Sequence, residues 1–392
     1  MEHVYLISFG EIGLKGKNRP FFETILINRI KKSLSLFKDL KVYKTHGRIF
    51  VETKANSSEV INRLKRIFGI VGISPALRTG LNLEDICNAA VTLLEEYDEL
   101  QGKTFKVEAR RSNKSFPYKS PEIARHVGAY VLKNSTGLVV DVHKPQITIN
   151  VEVREKAYVY IEKVSGPGGL PIGVSGKALL LLSGGIDSPV AGWLTMKRGV
   201  EVQAIYFHSF PFTSDRAKEK VIDLCRVLAE YSGIFRLHVV SFTEVLKILQ
   251  KNTPNELLTI LMRRMMVRIA QKVAKSEGCL GLVTGESIGQ VASQTLESLM
   301  ATNQVAEIPV FRPLIAMDKK EIIQKAEEIG TFEISTRPFE DCCSLFVPEH
   351  PKTRPDLNYV IQSEQSLDIN ELIEEGLKNI EVINISPEDS AY

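Results

Sequence analysis

The run ALLLLSGGIDSPVAG (178–192) constrains this chain more than any other stretch. Its first five residues are apolar without alternation, the pattern of a strand covered on both faces in a parallel sheet flanked by helices. Ser183-Gly184-Gly185-Ile186-Asp187-Ser188 then lies between the carboxyl end of that strand and the start of a helix. Glycines let the backbone approach an anion, and Ser188 with the amides after it lies at the positive end of the helix dipole, where phosphate is favoured. It is not a Walker A loop. The one candidate, Gly176-Lys177, has Pro171 in place of the first glycine and Ala178 in place of the magnesium-binding hydroxyl, and GPGGLP supplies no GxGxxG.

The pattern repeats after the loop. EVQAIYF reads as a strand, Ser214 to Tyr231 as a helix, FRLHVVSF as a strand, Glu256 to Lys275 as a helix and CLGLVTG as a strand. Such alternation with apolar strands predicts a doubly wound parallel sheet. Upstream, SGPGGLPIGVS (165–175) is dense in Gly and Pro and reads as a linker or boundary. The front of the chain differs in kind. VYLISFG is a strand, Pro20 to Phe37 a helix, KVYKTHGRIFVE two short strands and Ser57 to Phe68 a helix, an order that predicts a small ferredoxin-like α+β sandwich. A second α/β stretch follows, with helices over Asn82 to Tyr97 and Pro121 to Asn134, a strand at Thr104 to Arg110, and paired strands around VVDV and QITINVEVR.

The formal net charge of +3 hides a segregation. Up to Arg48 ten Lys and Arg stand against four acids, and Lys103 to Arg125 is again basic, with Phe116 and Tyr118 among the cations. After Ser363 only Lys378 is basic among eight acids. The front therefore suits a polyanion, with Lys15, Lys17, Arg19, Arg110, Arg111, Lys114, Lys119 and Arg125 as candidate contacts, while the back repels one. No apolar run reaches the ~18 residues of a membrane span, and the N-terminus lacks the plan of a secretory signal, so a cytoplasmic protein is expected. In a reducing compartment the five cysteines are expected to be thiols unless chemistry uses them.

SGGIDS in this context resembles the pyrophosphate loop of the N-type ATP pyrophosphatases, which cleave ATP to AMP and pyrophosphate while adenylating an oxygen. GEIGLKGKNRPFFE (10–23), YFHSFPFTSDRAKEKV (206–221), RPLIAMDKKEI and DCCSLFVP narrow the resemblance to the tRNA 4-thiouridine synthetases, the ThiI family, over essentially the whole chain. The resemblance implies a ferredoxin-like domain (1–75), a THUMP domain binding the tRNA acceptor end (76–165), a linker (166–176) and a PP-loop ATP pyrophosphatase domain (177–392). It implies ATP and Mg²⁺ as the reaction's needs and a cytoplasmic homodimer acting on uridine 8 near the tRNA elbow, with a side role in supplying thiazole sulfur for thiamine.

Carried over position by position, ATP would be held by Leu181, Leu182, Ser183, Gly184, Gly185, Asp187, Ser188, Tyr206, Phe207, Arg263, Gly285 and Gln294. Leu181, Leu182 and Phe207 read equally well as core, and one of Arg263 and Arg264 as a surface or RNA-contacting charge. Asp187 would help hold magnesium and pyrophosphate. Lys319 in MDKKEI matches the family lysine tied to activity, behind an N-cap at Asp318; read alone, it is a solvent-exposed residue opening a helix.

Cys342 and Cys343 are adjacent, which disfavours a shared metal. A thiolate can carry sulfur as a persulfide and a second thiol can resolve it as a disulfide. Cys343 aligns best with the family's essential cysteine; a shift of one gives the role to Cys342, and two structural thiols are the plain alternative. Longer family members append a persulfide-bearing rhodanese domain that this sequence lacks. Sulfur is then expected from a cysteine desulfurase or another persulfide or sulfide donor, with an iron–sulfur cluster disfavoured for want of a CxxC pair. Two other functions compete: an adenylating ligase or amidotransferase on a small molecule, which leaves the basic front without a role, and a non-catalytic tRNA-binding protein, which leaves SGGIDS without one.

Overall fold

The computed structural model describes residues 1–45, 47–96, 100–339, 346 and 351–389. The chain divides into two units, Met1–Gly169 and Leu170–Tyr392.

The first unit begins β1 (Glu2–Phe9), α1 (Arg19–Ser33), β2 (Lys41–Thr45), β3 (Arg48–Glu52), α2 (Ser57–Leu64) and β4 (Ile70–Thr79), a ferredoxin-like βαββαβ order. Asn56 starts α2 by accepting the amides of Ser58 and Glu59. β4 was not expected, because Gly72 and Pro75 weaken its strand signature. It is nonetheless central, antiparallel to β1 over its whole length. Pro75 falls where the other edge of β4 changes partner, from β9 (Val164–Ser165) at 72–73 to β8 (Ala157–Tyr160) at 77–79.

The same sheet continues into the second module: α3 (Leu83–Glu95), β5 (Thr104–Arg111), α4 (Ser120–Asn134), β6 (Val139–Val140), β7 (Ile147–Val153), then β8 and β9. The main order is β2-β3-β1-β4-β8-β7-β5-β6, so the two small modules share one sheet. VVDV and QITINVEVR do not pair with each other; β6 and β7 each run parallel to β5, on opposite edges of it. The division between the two units falls within 165–175, and the residues on each side are hydrogen-bonded to their own unit. Gly166 and Gly168 donate to β4 carbonyls of Val71 and Ile70, while Leu170 and Gly173 donate to Lys197 and Gly199 in the second unit, with Leu170 and Ile172 buried there.

The second unit contains β10 (Lys177–Leu181), α5 (Asp187–Lys197), β11 (Glu201–His208), α6 (Asp215–Ser232), β12 (Phe235–Ser241), α7 (Thr243–Asn252), α8 (Leu258–Ser276), β13 (Leu282–Val283), α9 (Leu296–Asn303), β14 (Val310–Phe311) and α10 (Lys319–Ile329). Its sheet has the order β14-β13-β10-β11-β12-β15 and is parallel except at one edge. There the acidic tail contributes β15 (Glu381–Ile385), antiparallel to β12. CLGLVTG shortens to the two residues of β13, and α7 is a helix the periodicity reading passed over.

The tail does not act as a free acidic segment. Glu364, near the end of the helix Leu357–Glu364, is buried and accepts from Arg264 and Arg268 on α8, and Asp368 caps the helix Ile369–Leu377. Burial raises the Glu364 carboxyl, but hydrogen bonds and charge from the two guanidiniums outweigh it and hold its pKa below the usual glutamate range.

Candidate active site

A cavity of about 450 Å³ opens at the carboxyl ends of the parallel strands, the place where open α/β sheets take ligands. Its lining includes Leu181, Leu182, Ser183, Asp187, Ser188, Tyr206, Phe207, Arg263, Gly285 and Gln294. The fold thus brings expected residues from five separate segments to one place. Gly184 and Gly185 lie in the loop between Ser183 and Asp187 but outside the cavity lining. The size fits a nucleotide-class ligand.

One end is formed by the SGGIDS turn. The Ser183 amide donates to Ser188 Oγ at 2.9 Å, the two hydroxyls lie 3.1 Å apart, and the Gly185 amide donates to Ser183 Oγ at 3.3 Å. Two serines five positions apart thereby pin the turn onto the first turn of α5. Ser335 Oγ donates to the Gly185 carbonyl from outside, at 3.3 Å. Gly285, just after β13, presses on this turn: a Cβ there would lie 2.7 Å from the Ser188 nitrogen and 2.8 Å from the Asp187 carbonyl carbon. Both are backbone atoms of a helix start that cannot step aside, so the position requires glycine.

Asp187 is where distant segments converge. Its Oδ1 accepts from Lys319 Nζ at 2.7 Å and its Oδ2 from Gln290 Nε2 at 2.8 Å. Lys319 reaches it because α10 starts sharply. Asp318 accepts the Glu321 amide, Glu321 accepts the Asp318 amide, and the helix is stopped by Gly330 in the left-handed conformation. A lysine that reads as solvated from sequence alone is therefore half-exposed and ion-paired.

The opposite wall is a charged cluster that the sequence reading mostly missed. Arg263 donates to the Ser293 carbonyl at 2.9 Å and pairs with Glu286, which also accepts from Arg312 Nε at 2.7 Å and Thr284 Oγ1 at 2.8 Å. Burial raises the Glu286 carboxyl, yet the guanidiniums of Arg263 and Arg312 outweigh it, so its pKa falls below the usual range and it stays ionised. TGES was the available signal, since Glu286 follows Gly285. Arg264 faces the other way and is neither a surface nor an RNA-contacting charge: it is 1 % exposed, held by Glu364 and the Ala301 carbonyl. Phe207 serves both core and cavity, packing edge-on against Phe242 at 5.3 Å.

The expected cysteines, Cys342 and Cys343, lie outside the described residues. Cys87, Cys225 and Cys279 are buried, and burial pushes their thiols up, that of Cys279 to about 11. Those are surroundings of packing cysteines rather than nucleophiles. Among the described residues no group of three or more His, Cys, Asp or Glu gathers as a metal site, and no helix is long and apolar enough to cross a membrane.

In the first unit, Lys17, Arg19, Lys44 and Arg48 line an open cleft of about 600 Å³. Buried Glu23 holds Arg19 and Lys44 at 2.7 and 3.0 Å, and Glu152 holds Arg48. Lys15 pairs with Glu11 and lies over the Phe22 ring. Arg110, Lys114, Lys119 and Arg125 are exposed, whereas Arg111 turns back to the Phe116 carbonyl at 2.9 Å. Phe116 is buried in the core, with the Tyr118 ring tilted beside it at 6.0 Å.

Residues 4–74 match the ThiI ferredoxin-like domain, 81–162 the THUMP domain and 173–369 the family described as Thiamine biosynthesis protein (ThiI). A probable tRNA sulfurtransferase of Caldanaerobacter subterraneus subsp. tengcongensis is 57% identical over 374 residues, 95% of this chain and 98% of that one. One of Moorella thermoacetica is 52% identical over 384 residues, 98% of each. Among solved structures, a 4-thiouridine synthetase–RNA complex with bound ATP superposes with a TM-score of 0.91 at 41% identity, covering 98% of this chain and all of that one.

Proposed function

The chain belongs to the ThiI family, and on that premise we propose that it is an ATP-dependent tRNA sulfurtransferase that adenylates a uridine and replaces its O4 by sulfur. The observation that carries the reading to this chain's own residues is the meeting of Lys319 and Asp187 beside the Ser183–Ser188 turn, at the mouth of a nucleotide-sized cavity.

In this mechanism the adenine lies against the apolar strand ends at Leu181, Leu182 and Phe207, and the triphosphate runs toward the SGGIDS turn. The turn and the start of α5 receive the β- and γ-phosphates, which become the leaving pyrophosphate. Glu286 keeps Arg263 extended toward the ligand. Lys319, freed from Asp187 when polyphosphate arrives, neutralises the charge that grows as uridine O4 attacks the α-phosphorus.

Magnesium fits this site as a shared ion. Asp187 is the one carboxylate at the turn, and Mg²⁺ in phosphoryl-transfer sites takes one or two carboxylates with the rest from phosphate and water. Bound there, it would offset pyrophosphate charge, and Asp187 would be the residue holding it.

Adenylation turns the carbonyl oxygen into part of a phosphate ester, a good leaving group. The terminal sulfur of a Cys343 persulfide then attacks C4, the C4–O bond breaks and AMP departs with its electron pair. The Cys342 thiolate attacks the Cys343 sulfur and releases the thiouridine, leaving a disulfide that an external dithiol reduces. The persulfide sulfur comes from a cysteine desulfurase or another persulfide donor. The exposed cations of the first unit, Lys17 and the Arg110–Arg125 group, hold the tRNA acceptor end, and a homodimer lets one tRNA bridge two copies.

The adenylation half is tested by tRNA-dependent exchange of labelled pyrophosphate into ATP. Exchange is expected in the parent protein and lost in Asp187→Ala; exchange that needs no tRNA, or survives the substitution, contradicts the reading.

A further inference from the structure

Lys220, on α6, is 5 % exposed. Its Nζ donates to the main-chain carbonyls of Arg337 at 3.1 Å and Phe339 at 2.9 Å. An ammonium leaves water only where such acceptors compensate it, so these two carbonyls are part of what makes the burial tolerable. The same helix binds this stretch twice more: Asp223 pairs with Arg337, and Arg216 lies over the Phe339 ring at 5.8 Å. A second, independent contact comes from the connection between β11 and α6, where Phe212 meets Phe346 edge-on with ring centroids 5.2 Å apart.

Phe339 and Phe346 flank, in sequence, the six residues that include Cys342 and Cys343. One continuous element, the β11–α6 connection and its helix, therefore holds both flanks. β11 also carries Tyr206 and Phe207 into the lining of the nucleotide cavity. Flank and cavity are thus referenced to a single strand.

We propose that Lys220 and Phe212 are positioning residues for sulfur transfer, fixing the two flanks of the cysteine-bearing stretch relative to the nucleotide cavity. The proposal rests on the sulfurtransferase reading above. Transfer needs the attacking sulfur within roughly 3–3.5 Å of C4, and a misplacement of about 1 Å is enough to cost two orders of magnitude. Adenylation needs neither flank, so the two half-reactions should separate.

The test uses the full chain with tRNA, ATP and magnesium, and compares Lys220→Met, Phe212→Ala and Phe212→Tyr. Phe212 is 44 % exposed, so its truncation leaves the fold intact and decides the matter even where Lys220→Met does not fold. With a persulfide donor, 4-thiouridine formation should fall about tenfold or more in Lys220→Met and Phe212→Ala, and recover in Phe212→Tyr. Pyrophosphate exchange should stay within about twofold of the parent. Inorganic sulfide supplies a bypass: hydrosulfide attacks C4 of the adenylated uridine, AMP leaves with the C4–O electron pair, and the thiol proton passes to solvent. Sulfide should bring both variants back to the parent's sulfide-supported rate. Unchanged thiolation, exchange that falls in step with thiolation in Phe212→Ala, or no rescue by sulfide would each overturn the proposal. A parent protein that makes no 4-thiouridine from either donor would instead sink the sulfurtransferase reading itself.

Discussion

Lys319 Nζ lies 2.7 Å from Asp187 Oδ1, although the two residues are 132 positions apart and stand at the first positions of two different helices. An exposed ion pair of this kind contributes only about 0–1 kcal/mol to stability. Its position at the start of both helices, beside the SGGIDS turn, is what makes it informative: in the proposed mechanism Asp187 holds the cation where pyrophosphate charge is to develop. Lys319→Met should lower tRNA-dependent adenylation by about 10²-fold, the scale of losing one preorganised charge, and leave tRNA affinity and melting temperature nearly unchanged. Single-turnover AMP release together with a tRNA titration separates these outcomes. A large loss of stability would show that the pair is structural.

Gly285→Ala should impair nucleotide binding without unfolding the protein. The added methyl would sit 2.7–2.8 Å from backbone atoms of Ser188 and Asp187, so the turn has to move away from β13. An ATP affinity reduced by about tenfold, a cost near 1.4 kcal/mol, is expected by calorimetric titration. Parent-like affinity would mean that the turn yields to the added methyl without disturbing the nucleotide.

Glu364→Ala should destabilise the second unit by about 3 kcal/mol, because it leaves Arg264 as a buried charge without its carboxylate. The pH dependence has a definite sign. The folded carboxyl is held below its unfolded value of about 4.3, so the contribution is complete above that value and is lost as pH falls through the lower, folded pKa. The difference between parent and variant in urea unfolding should therefore be constant from pH 7 to about 5 and shrink below about 4. A gap that widens on acidification would reverse the assignment.

Lys17→Ala and Arg111→Ala should fail in different ways. Lys17 is exposed at the cleft of the first unit, so its loss should weaken tRNA binding at all sequences and reduce the salt slope by about one. Arg111 braces the 114–116 turn through carbonyl contacts, so its loss should lower the melting temperature of the first unit as well. Filter-binding titrations over a salt series, paired with thermal unfolding, distinguish the two.

What sequence could reveal here followed from the range over which each signal acts. SGGIDS was legible because strand, turn and helix start are contiguous, and the chemistry of the turn lies in its own serines and glycines. Lys319 was legible only through resemblance, since the partner that gives it meaning is remote. The expectation that one of Arg263 and Arg264 is a surface or RNA-contacting charge fails for Arg264 for the same reason: the residue that buries it, Glu364, lies 100 positions later. β4 escaped because Pro75 and Gly72 violate strand propensity locally, and the tolerance for them comes from a partner change on the far edge. Phe116 lies among cations in the sequence, yet an aromatic next to charge in sequence says nothing about which side of the chain it faces, and it is buried in the core. The acidic tail illustrates the limit of net charge, because Glu364 and Asp368 are committed to a guanidinium pair and a helix cap.

In the proposed reaction, uridine in tRNA is both the adenylated and the thiolated group. Mass spectrometry of nucleosides from tRNA incubated with this protein, ATP-magnesium and a persulfide donor reads both at once. 4-Thiouridine should require ATP, vanish in Asp187→Ala, and be absent in Cys343→Ser while pyrophosphate exchange persists. Thiolation without ATP, or no thiolated nucleoside from a protein that still exchanges pyrophosphate on tRNA, would contradict it.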